Sequence, residues 1–139
     1  MFQNYTKKYP QISIREGFQD QIISLHNNLS ESNLVREPQS WELCKKNRVK
    51  VYSLFLDGKI QAYALVNKGR DLQSVCHEII ATNNDFLLDL ASQLDPSTIF
   101  LLSDSQLKKF PQHHFASRGI QALVRGQSPT PWIYGLDSC

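Results

Sequence analysis

Val49-Lys50-Val51-Tyr52-Ser53-Leu54-Phe55-Leu56-Asp57-Gly58-Lys59-Ile60-Gln61-Ala62-Tyr63-Ala64-Leu65-Val66-Asn67 is the stretch that decides the architecture. Val49, Val51, Ser53 and Phe55 alternate with Lys50, Tyr52, Leu54 and Leu56. After Asp57-Gly58, Ile60, Ala62, Ala64 and Val66 alternate with Gln61, Tyr63, Leu65 and Asn67. A period of two is that of a strand, whose side chains point to opposite faces in turn. Asp and Gly both tolerate positive φ, which the tight turns of antiparallel hairpins require. The stretch therefore predicts a hairpin. Lys68-Gly69-Arg70-Asp71 makes a second turn, and Leu72 to Ala81 reads as the third strand of a meander.

Upstream, Ile12 and Ile14 alternate with polar neighbours across Gln11 to Arg15, as in a short half-buried strand. Phe18, Ile22, Leu25 and Leu29 recur at helical spacing and define one apolar face. Pro38 suits the first turn of a second helix, with Trp41, Leu43 and Cys44 for packing. Downstream, Asn83 or Asn84 caps a helix whose Leu87, Leu90, Ala91 and Leu94 share a face, and Asp95-Pro96 stops it. Thr98 to Leu102 reads as a short interior strand. A further helix starts at Asp104 or Ser105, is interrupted at Pro111 and ends at Gly119. Two last strands follow, Ile120 to Val124 and Trp132 to Leu136.

A length of 139 residues fits one domain with its own core. Residues 1–10 read as a polar leader and residues 11–139 as that domain. A net charge of +2 is too small to argue for nucleic acid. The local basic cluster Lys45, Lys46, Arg48 and Lys50 fits a helix C-terminus, where cations favour the macrodipole. Cys44, Cys76 and Cys139 show neither metal-ligand nor CxxC spacing, which fits a reducing, cytoplasmic setting. The four His and three Cys make no zinc pattern, so no metal is expected. No apolar run reaches membrane-spanning length.

The order strand, helix, helix, three-strand meander, helix, strand, helix, strand, strand resembles the GNAT superfamily of N-acetyltransferases. Local matches follow the same order: Ile12-Ser13-Ile14-Arg15-Glu16 for the opening strand, Leu56 to Ala64 for the hairpin, His77-Glu78 for the acidic position of the central strand. Phe115-Ala116-Ser117-Arg118-Gly119-Ile120 resembles the aromatic-x-x-x-Gly-aliphatic end of the penultimate helix. The resemblance covers residues 11–138 and implies an α/β (α+β) fold with a mixed, mostly antiparallel sheet flanked by helices. It also implies acetyl-CoA as cofactor, with a glycine-rich pyrophosphate loop at the junction of the central strand and the following helix.

That junction, Glu78-Ile79-Ile80-Ala81-Thr82-Asn83-Asn84-Asp85, contains no Gly, Arg or Lys. A phosphate cradle needs successive N–H groups that converge, which glycine permits. Ile80, Thr82, Asn83 and Asn84 are what remains as candidate cofactor contacts, and Asp85 and Asp89 bring negative charge near them. Glu78 matches the family's general base, with a salt-bridged or solvent-facing carboxylate as the alternative. Strand alternation puts Cys76 and Glu78 on one face and His77 on the other. The family's acidic Tyr falls on Phe115, which has no hydroxyl; Tyr63 and Tyr134 are the strand tyrosines able to donate into a cleft.

The function expected is a divergent acetyltransferase-like domain impaired in acetyl-CoA binding and catalysis, serving as scaffold or binding domain. A neighbouring domain, as in a tandem acetyltransferase, or a second copy would cover its cleft. The alternatives are an active acyl-CoA-dependent N-acyltransferase with an unorthodox cofactor site, and a small-molecule or peptide binding module.

Overall fold

A computed structural model describes residues 11–30, 36–70 and 72–109. The elements are β1 (Ser13–Glu16), α1 (Gln21–Leu29), α2 (Pro38–Lys46), β2 (Lys50–Leu56), β3 (Lys59–Lys68), β4 (Leu72–Ala81), α3 (Asn84–Gln93), β5 (Ile99–Phe100) and α4 (Asp104–Leu107). They form a mixed α+β arrangement around a five-stranded sheet of order β1-β2-β3-β4-β5. The first three pairings are antiparallel; β5 returns across α3 to lie parallel to β4.

The meander follows from the alternation that predicts it. On one face Leu54, Ala62, Ala64, Val66, Cys76 and Ile79 pack against Phe86, Leu87, Leu90 and Leu94 of α3. On the other, Val51, Phe55, Ile60, Tyr63, Leu65 and Ile80 pack against Ile22 and Leu25 of α1 and Trp41 of α2. Helices cover both faces, so β3 is buried almost end to end and reads as a continuous apolar run. The small Ala62 and Ala64 leave room for α3 to approach.

The helix boundaries have local causes. Pro38 opens α2, where its missing N–H would be unpaired anyway. The Asn83 side chain accepts from the Phe86 N–H at 3.0 Å and caps α3. Two expected packing residues are not in the core: Leu29 is 40% and Leu43 56% exposed. β5 is shorter than expected, pairing only Ile99 and Phe100 with Val75 and Cys76, and Ile99 is 61% exposed. The course after Lys109, including the expected strands Ile120 to Val124 and Trp132 to Leu136, lies outside the described residues.

Three irregularities shape the sheet. Gln61 is extra on β3, because Leu54 pairs with Ala62 and Phe55 with Ile60. His77 is extra on β4, because Leu65 pairs with Glu78 and Val66 with Cys76. Beyond it the register shifts again, and Asn67 and Ser74 take positive φ of 64° and 60°. The Asn67 side chain accepts from the Ser74 N–H at 2.8 Å, which fixes this last bulge.

The Asp57-Gly58 turn has φ of 51° and 74°, positive at both central positions. A Cβ at Gly58 would meet no atom within 4 Å, so a side chain there is opposed by backbone conformation alone. Gly58→Val is therefore expected to cost about 1–2 kcal/mol, the penalty for a left-handed L-residue, while Gly58→Asn costs less. Urea denaturation midpoints of the variants measure this directly.

Candidate functional site

Glu78 is the residue around which the interior is organised. It lies in the middle of β4 and is fully buried. An isolated carboxylate there would be prohibitively costly, so its oxygens need partners. Arg36, just before α2, supplies a two-pronged contact: Nη2 donates to Oε2 at 2.7 Å and Nη1 to Oε1 at 3.2 Å. His26 Nδ1, on α1, lies 3.0 Å from Oε1 and 2.8 Å from the Tyr63 hydroxyl. The Tyr63 hydroxyl, from β3, donates to the same Oε1.

An aromatic wall encloses the group. The Arg36 guanidinium sits 4.5 Å from the centroid of Trp41, and the His26 ring meets Trp41 edge-on at 5.3 Å. Phe18 continues the wall 5.7 Å from Trp41. A flat, weakly hydrated guanidinium stacks on indole at low desolvation cost, which suits Arg better than Lys here. Arg36 is itself buried at 7% exposure, so one cation and one anion are removed from water together.

Burial pushes the Glu78 carboxyl upward, but hydrogen bonds from His26 and Arg36 and the Arg36 charge outweigh it and hold it below its ordinary value. A carboxylate so stabilised is a poor proton acceptor, and its site is closed to solvent. Glu78 is thus a buried, salt-bridged carboxylate and not a solvent-facing one.

The His77 bulge alters the faces expected from simple alternation. Cys76 points into the cluster against α3, whereas Glu78 points to the α1 and Trp41 side. The two residues do not share a face, because an extra residue between them advances the strand by half a period. His77 is buried, and neither ring nitrogen has a hydrogen-bond partner among the described residues. Burial, with a smaller contribution from the Lys68 charge, lowers its pKa below 6.5 and keeps it neutral. Burial pushes the Cys76 thiol far up, so it is an inert core thiol.

The candidate cofactor contacts lie at the far end of β4. Thr82 is tied to Gln61 by its N–H at 2.8 Å and its hydroxyl at 2.9 Å. Asn83 is engaged as the α3 cap, and Asn84 donates to the Lys109 carbonyl at 3.3 Å. Ile80 belongs to the core on the α1 side. All four line a cavity of about 90 Å³ with Gln106 and Lys109. Gln106 closes its inner wall, donating from Nε2 to the Ile79 carbonyl at 2.6 Å. Cavities that enclose drug-sized ligands run to about 300–1,000 Å³, so this one has room for no more than a few waters or a small ion. Asp85 puts a negative charge in the first turn of α3.

Tyr134, Phe115 and the neighbouring His113 and His114 lie outside the described residues. Among the described residues no three His, Cys, Asp or Glu side chains converge on a metal position, and no helix is long and apolar enough to cross a membrane. Sequence reasoning missed His26 and Arg36. His26 had a signal, since it falls four residues after Ile22 on the apolar face of α1. Arg36 had none. No known family model, curated protein or solved structure matches the chain significantly.

Removing one member of a buried ion pair strands the other. Glu78→Gln and Arg36→Met are each expected to destabilise by about 3–5 kcal/mol, with the double variant well short of the sum. A double-mutant cycle in urea measures the coupling. The pH dependence has a defined sign. Glu78 has a folded pKa below its unfolded value of 4.5, so its stabilisation is fully present above pH 4.5 and is lost as pH falls through the folded value. Glu78→Gln should flatten the acid limb of the stability curve.

His77 acts in a higher window. Its pKa is depressed from 6.5, so stability falls as pH drops below 6.5 and the unfolded chain takes up the proton. His77→Leu removes that slope. Because it also removes two unpartnered buried nitrogens, it is expected to raise stability at pH 7 by about 1 kcal/mol.

Proposed function

We propose that this chain is a divergent GNAT-type acetyltransferase-like domain that acts as a scaffold or binding domain rather than as an ordinary acetyl-CoA enzyme. The order of elements from β1 to α4 supports the ancestry. The sealing of Glu78 by Arg36 carries the functional part: the residue at the base position is spent on an internal ion pair and has no path to a substrate amine. The cavity at the β4–α3 junction adds to this. It has neither glycine nor free volume for a pyrophosphate, and the Gln106 amide occupies the Ile79 carbonyl at its wall. Such a domain serves by holding a neighbouring domain or a second copy.

The alternative is an acyl-CoA-dependent N-acyltransferase with an unorthodox phosphate site. Lys109 beside the α3 N-terminus is the observation in its favour, since a cation and the positive end of a helix dipole together attract anions.

Acetyl-CoA titration separates the two. A ligand at about a hundred times its dissociation constant would stabilise the fold by about 2.7 kcal/mol. No shift in melting temperature is expected at millimolar acetyl-CoA, and no CoA release with a panel of amines and aminoglycosides. A saturable shift with CoA release would establish the enzyme. A shift without release would make the domain a CoA binder.

A further inference from the structure

The donors around Glu78 converge on one planar anion from separate places in the chain. Arg36 presents both prongs of a flat guanidinium, with Nη2 at 2.7 Å from one carboxylate oxygen and Nη1 at 3.2 Å from the other. His26 Nδ1 and the Tyr63 hydroxyl meet at that second oxygen. Because the hydroxyl gives its proton to Oε1, both oxygens within reach of Nδ1 offer it lone pairs, so Nδ1 carries the hydrogen. Each donor is also held by packing that does not involve Glu78. Arg36 stacks 4.5 Å from the centroid of Trp41. His26 is carried by α1, whose Ile22 and Leu25 are core residues, and Tyr63 is fully buried on the central strand β3.

This donor set selects a ligand class. Two parallel N–H groups of a guanidinium match the two oxygens of a carboxylate, and a spherical anion cannot engage both prongs and the further donors at once. Tyr63 and Trp41 belong to the same core cluster as Leu65 and Ile80, so hydrocarbon is what can accompany the carboxylate. We propose that Arg36, His26 and Tyr63 make a carboxylate-binding site whose resident ligand is the chain's own Glu78, and which takes a free short-chain monocarboxylate once that side chain is removed. What the interior requires at this point is a carboxylate, not its covalent tether. In the natural chain the tethered group excludes any free acid. Truncation sets the size of the replacement: Glu78→Ala removes a methylene and a carboxylate, which acetate restores, and Glu78→Gly removes one carbon more, which propionate restores. The inference rests on the geometry of the cluster and is independent of the acetyltransferase ancestry.

Thermal melts of the 139-residue chain carrying Glu78→Ala test this at neutral pH, with sodium chloride replaced stepwise by sodium acetate at constant ionic strength. Acetate to about 100 mM should give a saturable rise in melting temperature of about 4 °C. Propionate should act about tenfold more weakly on this variant, and the order should reverse in Glu78→Gly, since one methylene in a closed pocket is worth about tenfold or more. The unsubstituted chain and Glu78→Gln, in which the space is already filled, should show no saturable response. Acetamide, the uncharged isostere, should have no effect, and adding Arg36→Met to Glu78→Ala should abolish the acetate response. Where a variant does not stay folded alone, its refolding yield from urea with and without each carboxylate gives the same reading. The proposal is overturned if acetate brings neither a saturable rise nor a gain in refolding. It is equally overturned if acetamide does as well as acetate, or if acetate and propionate show no difference on the two variants.

Discussion

The Arg36–Glu78 ion pair is the constraint on which the rest of the interior depends. A buried carboxylate in the middle of a central strand is tolerable only if a cation and hydrogen-bond donors come to it. Meeting that requirement brings the segment before α2 down onto the sheet, turns His26 of α1 inward and aligns the Tyr63 hydroxyl. Trp41 then has a guanidinium to stack on and an imidazole to meet edge-on. One strand residue thus fixes the positions of α1, the approach to α2, and β3 relative to β4. A hydrophobic residue at position 78 would fill the same space without specifying any of these.

The elements that sequence made legible are those whose causes are local. The Asp57-Gly58 hairpin needs two adjacent residues with positive φ, and both are visible in the chain. The Asn83 cap acts over three residues and Pro38 over one turn. The Glu78 cluster is different. His26 and Arg36 come from 52 and 42 residues upstream, and Arg36 sits in a stretch with no periodicity to mark it. The facing of Cys76 and Glu78 was misread for a related reason. Alternation is a rule for unbroken pairing, and the extra residue at His77 leaves no mark in composition. Of the residues singled out at the β4–α3 junction, Ile80, Thr82, Asn83 and Asn84 do meet in one cavity, because they fall within five residues at a strand-to-helix corner.

Several polar atoms in the interior stand apart from this order. Trp41 Nε1, Ser53 Oγ, both nitrogens of His77 and both carboxylate oxygens of Asp89 lack hydrogen-bond partners among the described residues. Each such group lowers stability, and together they lie on both sides of the sheet. The contrast with Glu78, whose partners come from α1, β3 and the segment before α2, separates a polar group the fold is built around from polar groups it merely contains.

The Glu78 contacts also set an order of events during folding. The hairpin closes a loop of a few residues and can form in microseconds without the rest of the chain. The pairing of Arg36 with Glu78 closes a loop 42 residues long. That carries a larger entropic cost and brings no return until β4 has already docked on β3. Until then a charged side chain waits beside a half-built sheet, with water still around it. The last desolvation step, in which Trp41 closes over the guanidinium, is therefore where the approach to α2 changes from a tethered segment into part of the core.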